Sequence, residues 1–167
     1  MVSRVLAVQE ALGRRILLEN PSSYVAFRDS SMSEWEFLAA VAEQGDCGIL
    51  LDVNNVYVTA RNQGFDPLEY IAALPAERVC EIHLSGYRDL SDLVLDTHQG
   101  PVPEVVWELY RQALRHVGPV STIVEWDVAV PELEEMVAES RRASAIEREV
   151  CGEARGDPAA VLRPDLG

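Results

Sequence analysis

Five apolar runs of strand length in this chain each close on a carboxylate or a histidine. They are Arg15-Ile16-Leu17-Leu18-Glu19-Asn20, Gly48-Ile49-Leu50-Leu51-Asp52-Val53-Asn54, Val79-Cys80-Glu81-Ile82-His83-Leu84, Leu93-Val94-Leu95-Asp96-Thr97-His98 and Thr122-Ile123-Val124-Glu125-Trp126-Asp127. Strands covered on both faces lose the apolar-polar alternation, so such runs predict buried parallel strands. An ionisable group at the exit of each strand then gathers acids and imidazoles at one rim of the sheet. In parallel α/β folds that rim is where ligands and metals bind.

Between these runs lie segments of helical period with recognisable ends. Ser31-Met32-Ser33-Glu34 reads as a capping box; Trp35, Leu38, Ala39 and Ala42 share a face behind it, and Gly45 is placed to stop the helix. Asp66-Pro67-Leu68-Glu69 repeats the start signal with proline in the first turn. Pro103 opens a longer helix with Val106, Leu109, Tyr110, Ala113, Leu114 and Val117 as its stripe, ended by Gly118-Pro119. Pro131 opens a charged last helix with Leu133, Met136, Val137 and Ile146 as its buried side, and Val2 to Gly13 is amphipathic through Val5, Leu6, Ala11 and Leu12.

Alternating strand and helix predicts an α/β fold with a parallel sheet and right-handed crossovers. The link from His83 to the Asp96 run, Ser85 to Asp92, is too short for a crossover helix. Either a strand pair there lacks its helix, or one run is not a strand. A closed (β/α)8 barrel has eight strands and usually needs about 250 residues. With about five strands, the chain is either a small open α/β domain or the C-terminal part of a barrel. The folded domain is expected over residues 1–150, and the aperiodic stretch 151–167 as a disordered tail.

Composition narrows the partners. The 167 residues are one domain by length, enough to bury roughly 70% of the unfolded surface. The net charge of −14 repels phosphate backbones and anionic lipid, which argues against nucleic acid and membrane surfaces. No run has the length of a membrane span and the start lacks a signal peptide's apolar stretch, which predicts a cytoplasmic protein. Cys47, Cys80 and Cys151 match neither a disulfide framework nor a thiolate zinc site, and the first two read as small buried hydrophobes.

Side chains two apart on a strand share a face, so Glu81 with His83, Asp96 with His98 and Glu125 with Asp127 can each enter one space. Mixed carboxylate and imidazole donors suit iron, manganese, zinc or cobalt. Any one of these residues alone is as readily a cap or a structural ion pair. Together they are a different matter, because several like charges buried without a cation cost several kcal/mol per group. A bound metal resolves the repulsion. Asn54-Asn55 after Asp52 is either a turn or part of the site. Asn62-Gln63-Gly64 reads as a turn into a helix, and His116 complements a helix dipole with no site role.

Read in order, Leu18-Glu19-Asn20-Pro21-Ser22-Ser23-Tyr24, Leu51-Asp52-Val53-Asn54-Asn55-Val56-Tyr57-Val58, Glu81-Ile82-His83-Leu84-Ser85-Gly86, Leu95-Asp96-Thr97-His98 and Ile123-Val124-Glu125-Trp126-Asp127 closely resemble a known family. It is the multinuclear iron-dependent oxidase family of bacterial peptide-modifying enzymes, long catalogued as a domain of unknown function, which includes the methanobactin-synthesis oxidase. The likeness runs from about Val2 to Ala143. It implies a xylose-isomerase-like TIM barrel with two or three iron ions at its C-terminal rim. It also implies dioxygen as co-substrate, a cysteine of a ribosomally made peptide as substrate, and a small partner protein presenting that peptide. Metal ligands would fall on Glu19, Asp52, His83, Asp96, His98 and Glu125, with Asn55 as a further candidate.

The likeness has departures. Family members carry further histidines on the first barrel strands, whereas this chain opens in what reads as the helix before the fourth. Tyr87 and Gln63 stand where histidines are frequent. The expectation is a truncated product or a fragment, with open sheet edges prone to self-association. Two other functions remain beside the oxidase: an inactive or regulatory remnant, and a metal-dependent isomerase or hydrolase on a related barrel. The net charge counts against a nuclease, and the absence of lysine counts against sugar isomerisation.

Overall fold

A computed structural model describes residues 1–152. Three of its α-helices begin where a side-chain oxygen accepts a free N–H of the first turn. Helix α1 (Val2–Leu12) precedes strand β1 (Leu17–Glu19), and α2 (Glu34–Gly45) follows it. The capping box of α2 is built on Ser33 and Glu36, two residues beyond the expected one, because Ser33 takes the extended conformation and accepts from Glu36 N–H. Gly45 is the last helical residue, and the left-handed stop is Asp46 at φ 47°. Gly45 has another reason to be small: a Cβ there would lie 3.0 Å from Val5 of α1.

Strand β2 (Gly48–Asp52) runs directly into α3 (Val53–Gln63), so Asp52 both ends a strand and caps a helix. Gly64 ends α3 at φ 80°, and Asp66 caps α4 (Pro67–Ala73). Strand β3 (Val79–Leu84), a hairpin of β4 (Tyr87–Asp89) and β5 (Val94–Asp96), helix α5 (Glu104–Val117), strand β6 (Ser121–Val124) and helix α6 (Leu133–Cys151) complete the order. Cys151, expected in the tail, closes α6 instead. Residues 153–167 lie outside the described residues.

The main sheet has four parallel strands in the order β1-β2-β3-β6. The fifth expected strand is absent from it: Val94–Asp96 pairs antiparallel with Tyr87–Asp89 instead. The short link after His83 explains this, because it can close a hairpin but not a parallel crossover. Asn62 holds the hairpin to α3, accepting from Val94 N–H at 2.9 Å and donating to its carbonyl at 2.8 Å.

Strand order never reverses, unlike the doubly wound sheets whose order turns back at a switch point. Register assigns the two faces. Ile49, Leu51, Ile82 and Leu84, all fully buried, point to the helix side and pack with Trp107, Tyr110 and Leu114 of α5. The other face carries Glu19, Leu50, Asp52, Glu81, His83 and Ile123 by alternation and register. At the two edges, β1 and β6 each have a sheet neighbour on one side only. Ile123 is 44% exposed, and an open groove of about 360 Å³ between β6 and α6 shares no residue with the acidic rim.

Some expected core positions lie outside the core. Leu133 is 71% exposed and α6 buries Ala143 and Ile146, while α1 buries Val5 but leaves Leu6 and Leu12 exposed. Helix α6 flanks the β6 edge, and α1 packs on α2. Cys47 is buried and Cys80 half-buried, and His116 bonds the Leu74 carbonyl at 2.8 Å.

Candidate metal centre

Parallel strands deliver their exits to one side. Glu19 ends β1, Asp52 ends β2, His83 is the penultimate residue of β3, and Glu125 directly follows β6. His98 arrives from the segment after the hairpin, in a left-handed conformation at φ 47°. Gly86 lets that segment come close, since a Cβ there would collide with the Gln99 carbonyl oxygen and stand 2.8 Å from that of Gly100.

Asp52 is held from several sides. Its Oδ1 accepts from Asn55 N–H at 2.7 Å. The Asn20 side chain accepts from Asp52 N–H at 2.8 Å and donates to the Asp52 carbonyl at 2.9 Å, mimicking a strand neighbour. Asn55 donates to the Asn20 carbonyl at 3.0 Å. Asp52 Oδ2 is left buried with no hydrogen-bond partner among the described residues.

Donor atoms of Glu19, Asp52 and His83 lie within 4.8 Å of one another, and so do those of Asp52, His98 and Glu125. Asp52 belongs to both groups. Glu125 Oε1 is 3.0 Å from His83 Nδ1, and Oε2 is 3.2 Å from His98 Nδ1. Those contacts lack hydrogen-bond geometry, and both Nδ1 atoms are buried without a hydrogen-bond partner. Nitrogen and oxygen atoms about 3 Å apart that do not aim at each other suit donors sharing a cation, whose bonds are roughly 2.0–2.2 Å long. The fit is chemical as well, because carboxylate and imidazole donors suit a divalent transition metal.

The charges agree with that reading. Burial pushes Asp52 up to about 7, only partly offset by its bond from Asn55 N–H and by the nearby imidazole of His98. The hydrogen bond to Asp96 raises His98 to about 9 against the opposing effect of burial, with Asp96, Asp52 and Glu125 adding their charges. Its Nε2 lies 3.1 Å from Asp96 Oδ1, and its Nδ1 is also 3.2 Å from Asp127 Oδ2. Among the described residues no arginine is within ion-pair distance of Glu19, Asp52 or Glu125. In the absence of a metal, Asp52 and His98 thus both hold their protons more firmly than such groups ordinarily do.

Of the residues singled out by sequence, Glu19, Asp52, His83, His98 and Glu125 meet in the two donor groups. Asp96 stands outside both, its oxygens engaged by Asn54 Nδ2 and Ser22 Oγ at 3.0 Å each. Asn55 is buried in the first turn of α3 with Oδ1 unpartnered, so the paired asparagines form a helix start rather than a turn. Asn54 realises the site reading of the asparagine pair by bonding Asp96, whereas roles for Asn20, Ser22 and Tyr24 were not anticipated. Tyr24 accepts from Asp96 N–H at 3.0 Å. Their signal was present in the motif after Glu19, where Asn20, Ser22 and Tyr24 stand one, three and five residues on. Gln63 donates to the Ser23 carbonyl at 3.2 Å, and the Tyr87 hydroxyl lies 3.4 Å from that of Tyr57.

Residues 1–148 match the family described as RiPP precursor modification enzyme MbnB/TglH/ChrH, RiPP denoting a ribosomally made, modified peptide. The chain belongs to this family. Relatives include UPF0276 proteins of Anaeromyxobacter sp. strain Fw109-5, 61% identical over 88% of this chain and 52% of the relative, and of Acaryochloris marina, 52% identical over 86% and 52%. A UPF0276 protein of Chromobacterium violaceum is 47% identical over 87% of this chain and 53% of its own length. The chain thus spans about half the length of these curated relatives of the MbnB/TglH/ChrH family. No helix among the described residues is long and apolar enough to cross a membrane.

Proposed function

We propose that this chain forms part of the metal-bearing rim of a xylose-isomerase-like (β/α)8 barrel. The metal is iron, as two or three ions, used with dioxygen to modify a cysteine of a ribosomally made peptide. The observation that carries the reading is the pair of three-donor groups sharing Asp52, whose Oδ2 is buried and unpartnered. Family membership supports the peptide, and the unreversed strand order with helices on one face supports the barrel.

In this reading Glu19, Asp52 and His83 hold one ion and Asp52, His98 and Glu125 a second. Ferrous iron bound there would supply the redox chemistry and an affinity for the substrate thiolate. The protein's own part is positional. Asn20 and Asn55 fix Asp52, and Asn54 and Ser22 fix Asp96 beside His98. Exposed Val25 and Phe27 follow β1, and exposed Val128 and Val130 follow β6, giving the rim apolar borders suited to a peptide, presented by a small partner protein. The open edges and the uncovered face are where the rest of a barrel, or a second copy, would pack.

The test is iron per chain after anaerobic ferrous reconstitution, taken on a size-exclusion peak of known mass. At least one tightly held iron, lost in Asp52→Ala, is expected. An Asp52→Ala protein with unchanged iron would refute the assignment. A folded wild-type peak without iron would favour the remnant reading.

A further inference from the structure

His83 makes two unlike contacts with carboxylates. Its Nε2 forms a hydrogen bond of 3.0 Å with Glu81 Oε1, whereas its Nδ1 lies equally close to Glu125 Oε1 without hydrogen-bond geometry. Glu81 belongs to neither donor group. It sits two residues before His83 on β3, on the sheet face that carries Asp52 and His83 and one step deeper than the rim. His83 is 9% exposed, so water has little access to supply an alternative acceptor.

We infer that Glu81 is a positioning residue: it accepts the Nε2 proton of His83, so that the neutral imidazole turns an unprotonated Nδ1 toward Glu125 at the rim. The inference rests on the proposed metal-binding role of the rim. Its physics is that of an outer carboxylate, which fixes the tautomer and ring orientation of a ligating histidine and makes it a better donor. A carboxylate at i−2 on a strand suits the task, because alternation brings it back to the same face and the rigid ladder sets its distance. Register places Leu50 of β2 and Ser121 of β6 beside Glu81, and neither brings a positive charge that would compete for its oxygens.

Two variants separate this role from bulk structure. Glu81→Gln keeps an acceptor oxygen for Nε2–H; Glu81→Leu keeps much of the volume and has none. The first readout needs no metal: long-range ¹H–¹⁵N correlation of the imidazole in the metal-free chain, at a pH where it is neutral. Wild type and Glu81→Gln are expected to show the Nε2–H tautomer of His83, and Glu81→Leu a mixture with the Nδ1–H form. The second is titration with cobalt(II) as the probe ion. Glu81→Leu is expected to lose about 10–100-fold in affinity, with Glu81→Gln within a few-fold of wild type. An Nδ1–H tautomer in the wild type, or cobalt affinity in Glu81→Leu within threefold of wild type, would overturn the inference. Absence of cobalt and iron binding by wild type, with the Nε2–H tautomer present, would instead count against the metal reading of the rim and remove the ligating role assigned to Nδ1.

Discussion

Glu125 reaches both histidines of the rim with one carboxylate, Oε1 lying 3.0 Å from His83 Nδ1 and Oε2 3.2 Å from His98 Nδ1. Two imidazoles facing one acid cannot be independent. A double-mutant cycle on metal binding with His83→Ala and His98→Ala is expected to show a coupling of about 0.5–3 kcal/mol, the range for residues in one network. Purely additive losses would mean that the two donor groups act as separate sites.

The metal-free chain should lose stability as pH rises. Asp52 has a folded value of about 7 against an ordinary 3.8, so the fold favours its protonated form, and that contribution fades from about pH 4 through 7. His98 has a folded value of about 9 against 6.5; its contribution is complete below 6.5 and is lost as pH climbs through 9. Both act in the same direction. Urea midpoints taken with chelator at pH 6 and pH 9.5 should therefore fall, and Asp52→Asn should flatten the part below pH 7. A midpoint that rises across that window would contradict both assignments.

Asn20→Ala tests the support beneath Asp52. It removes the acceptor for Asp52 N–H and the donor to its carbonyl, both in a buried setting. Each group left unpaired costs about 1–3 kcal/mol. Asn20→Asp keeps the acceptor but sets a carboxylate oxygen against the Asp52 carbonyl beside an acidic rim, so a urea midpoint no higher than that of Asn20→Ala is expected. Equal midpoints for wild type and Asn20→Ala would show that the asparagine bridge is dispensable.

Gly86→Ala should damage the site more than the sheet. The added methyl meets the Gln99 and Gly100 carbonyls, which must move and carry His98 with them. Overpacking of this kind costs about 1–3 kcal/mol. Metal affinity in the Asp52–His98–Glu125 group should fall while far-ultraviolet circular dichroism stays unchanged. Retained affinity would mean that the 97–100 segment relaxes without displacing His98.

Exposed Ile123 on the open β6 edge makes self-association a measurable expectation. Light scattering should give a mass above the monomer at tens of micromolar, and Ile123→Lys should lower it. A monomeric wild type would leave the edge without a partner of its own kind.

Much of this was legible in the sequence because burial and chemistry both leave local marks. Apolar runs closing on Glu19, Asp52, His83 and Glu125 located the strand exits, and parallel pairing then forced those exits together. The Asp96 run misled because an apolar triplet reads alike in a sheet and in a hairpin, and only the short link through Ser85 to Asp92 separates them. Asn20 was invisible as a support, since its role is to bond the backbone of a residue 32 positions away. Leu133 and Leu12 fit apolar stripes that no layer among the described residues covers, and periodicity says nothing about whether a partner layer is present.

The unreversed strand order also bears on how such a centre can be varied. Each strand brings its own donor to a common rim, and a neighbour joins at an edge without threading between those already placed. Adding or removing one strand–helix unit thus changes the tally of ligands stepwise while the standing ones keep their positions. In a fold wound this way, the number of donor groups at the rim is a modular property, open to recombination at the edges rather than to redesign of the interior.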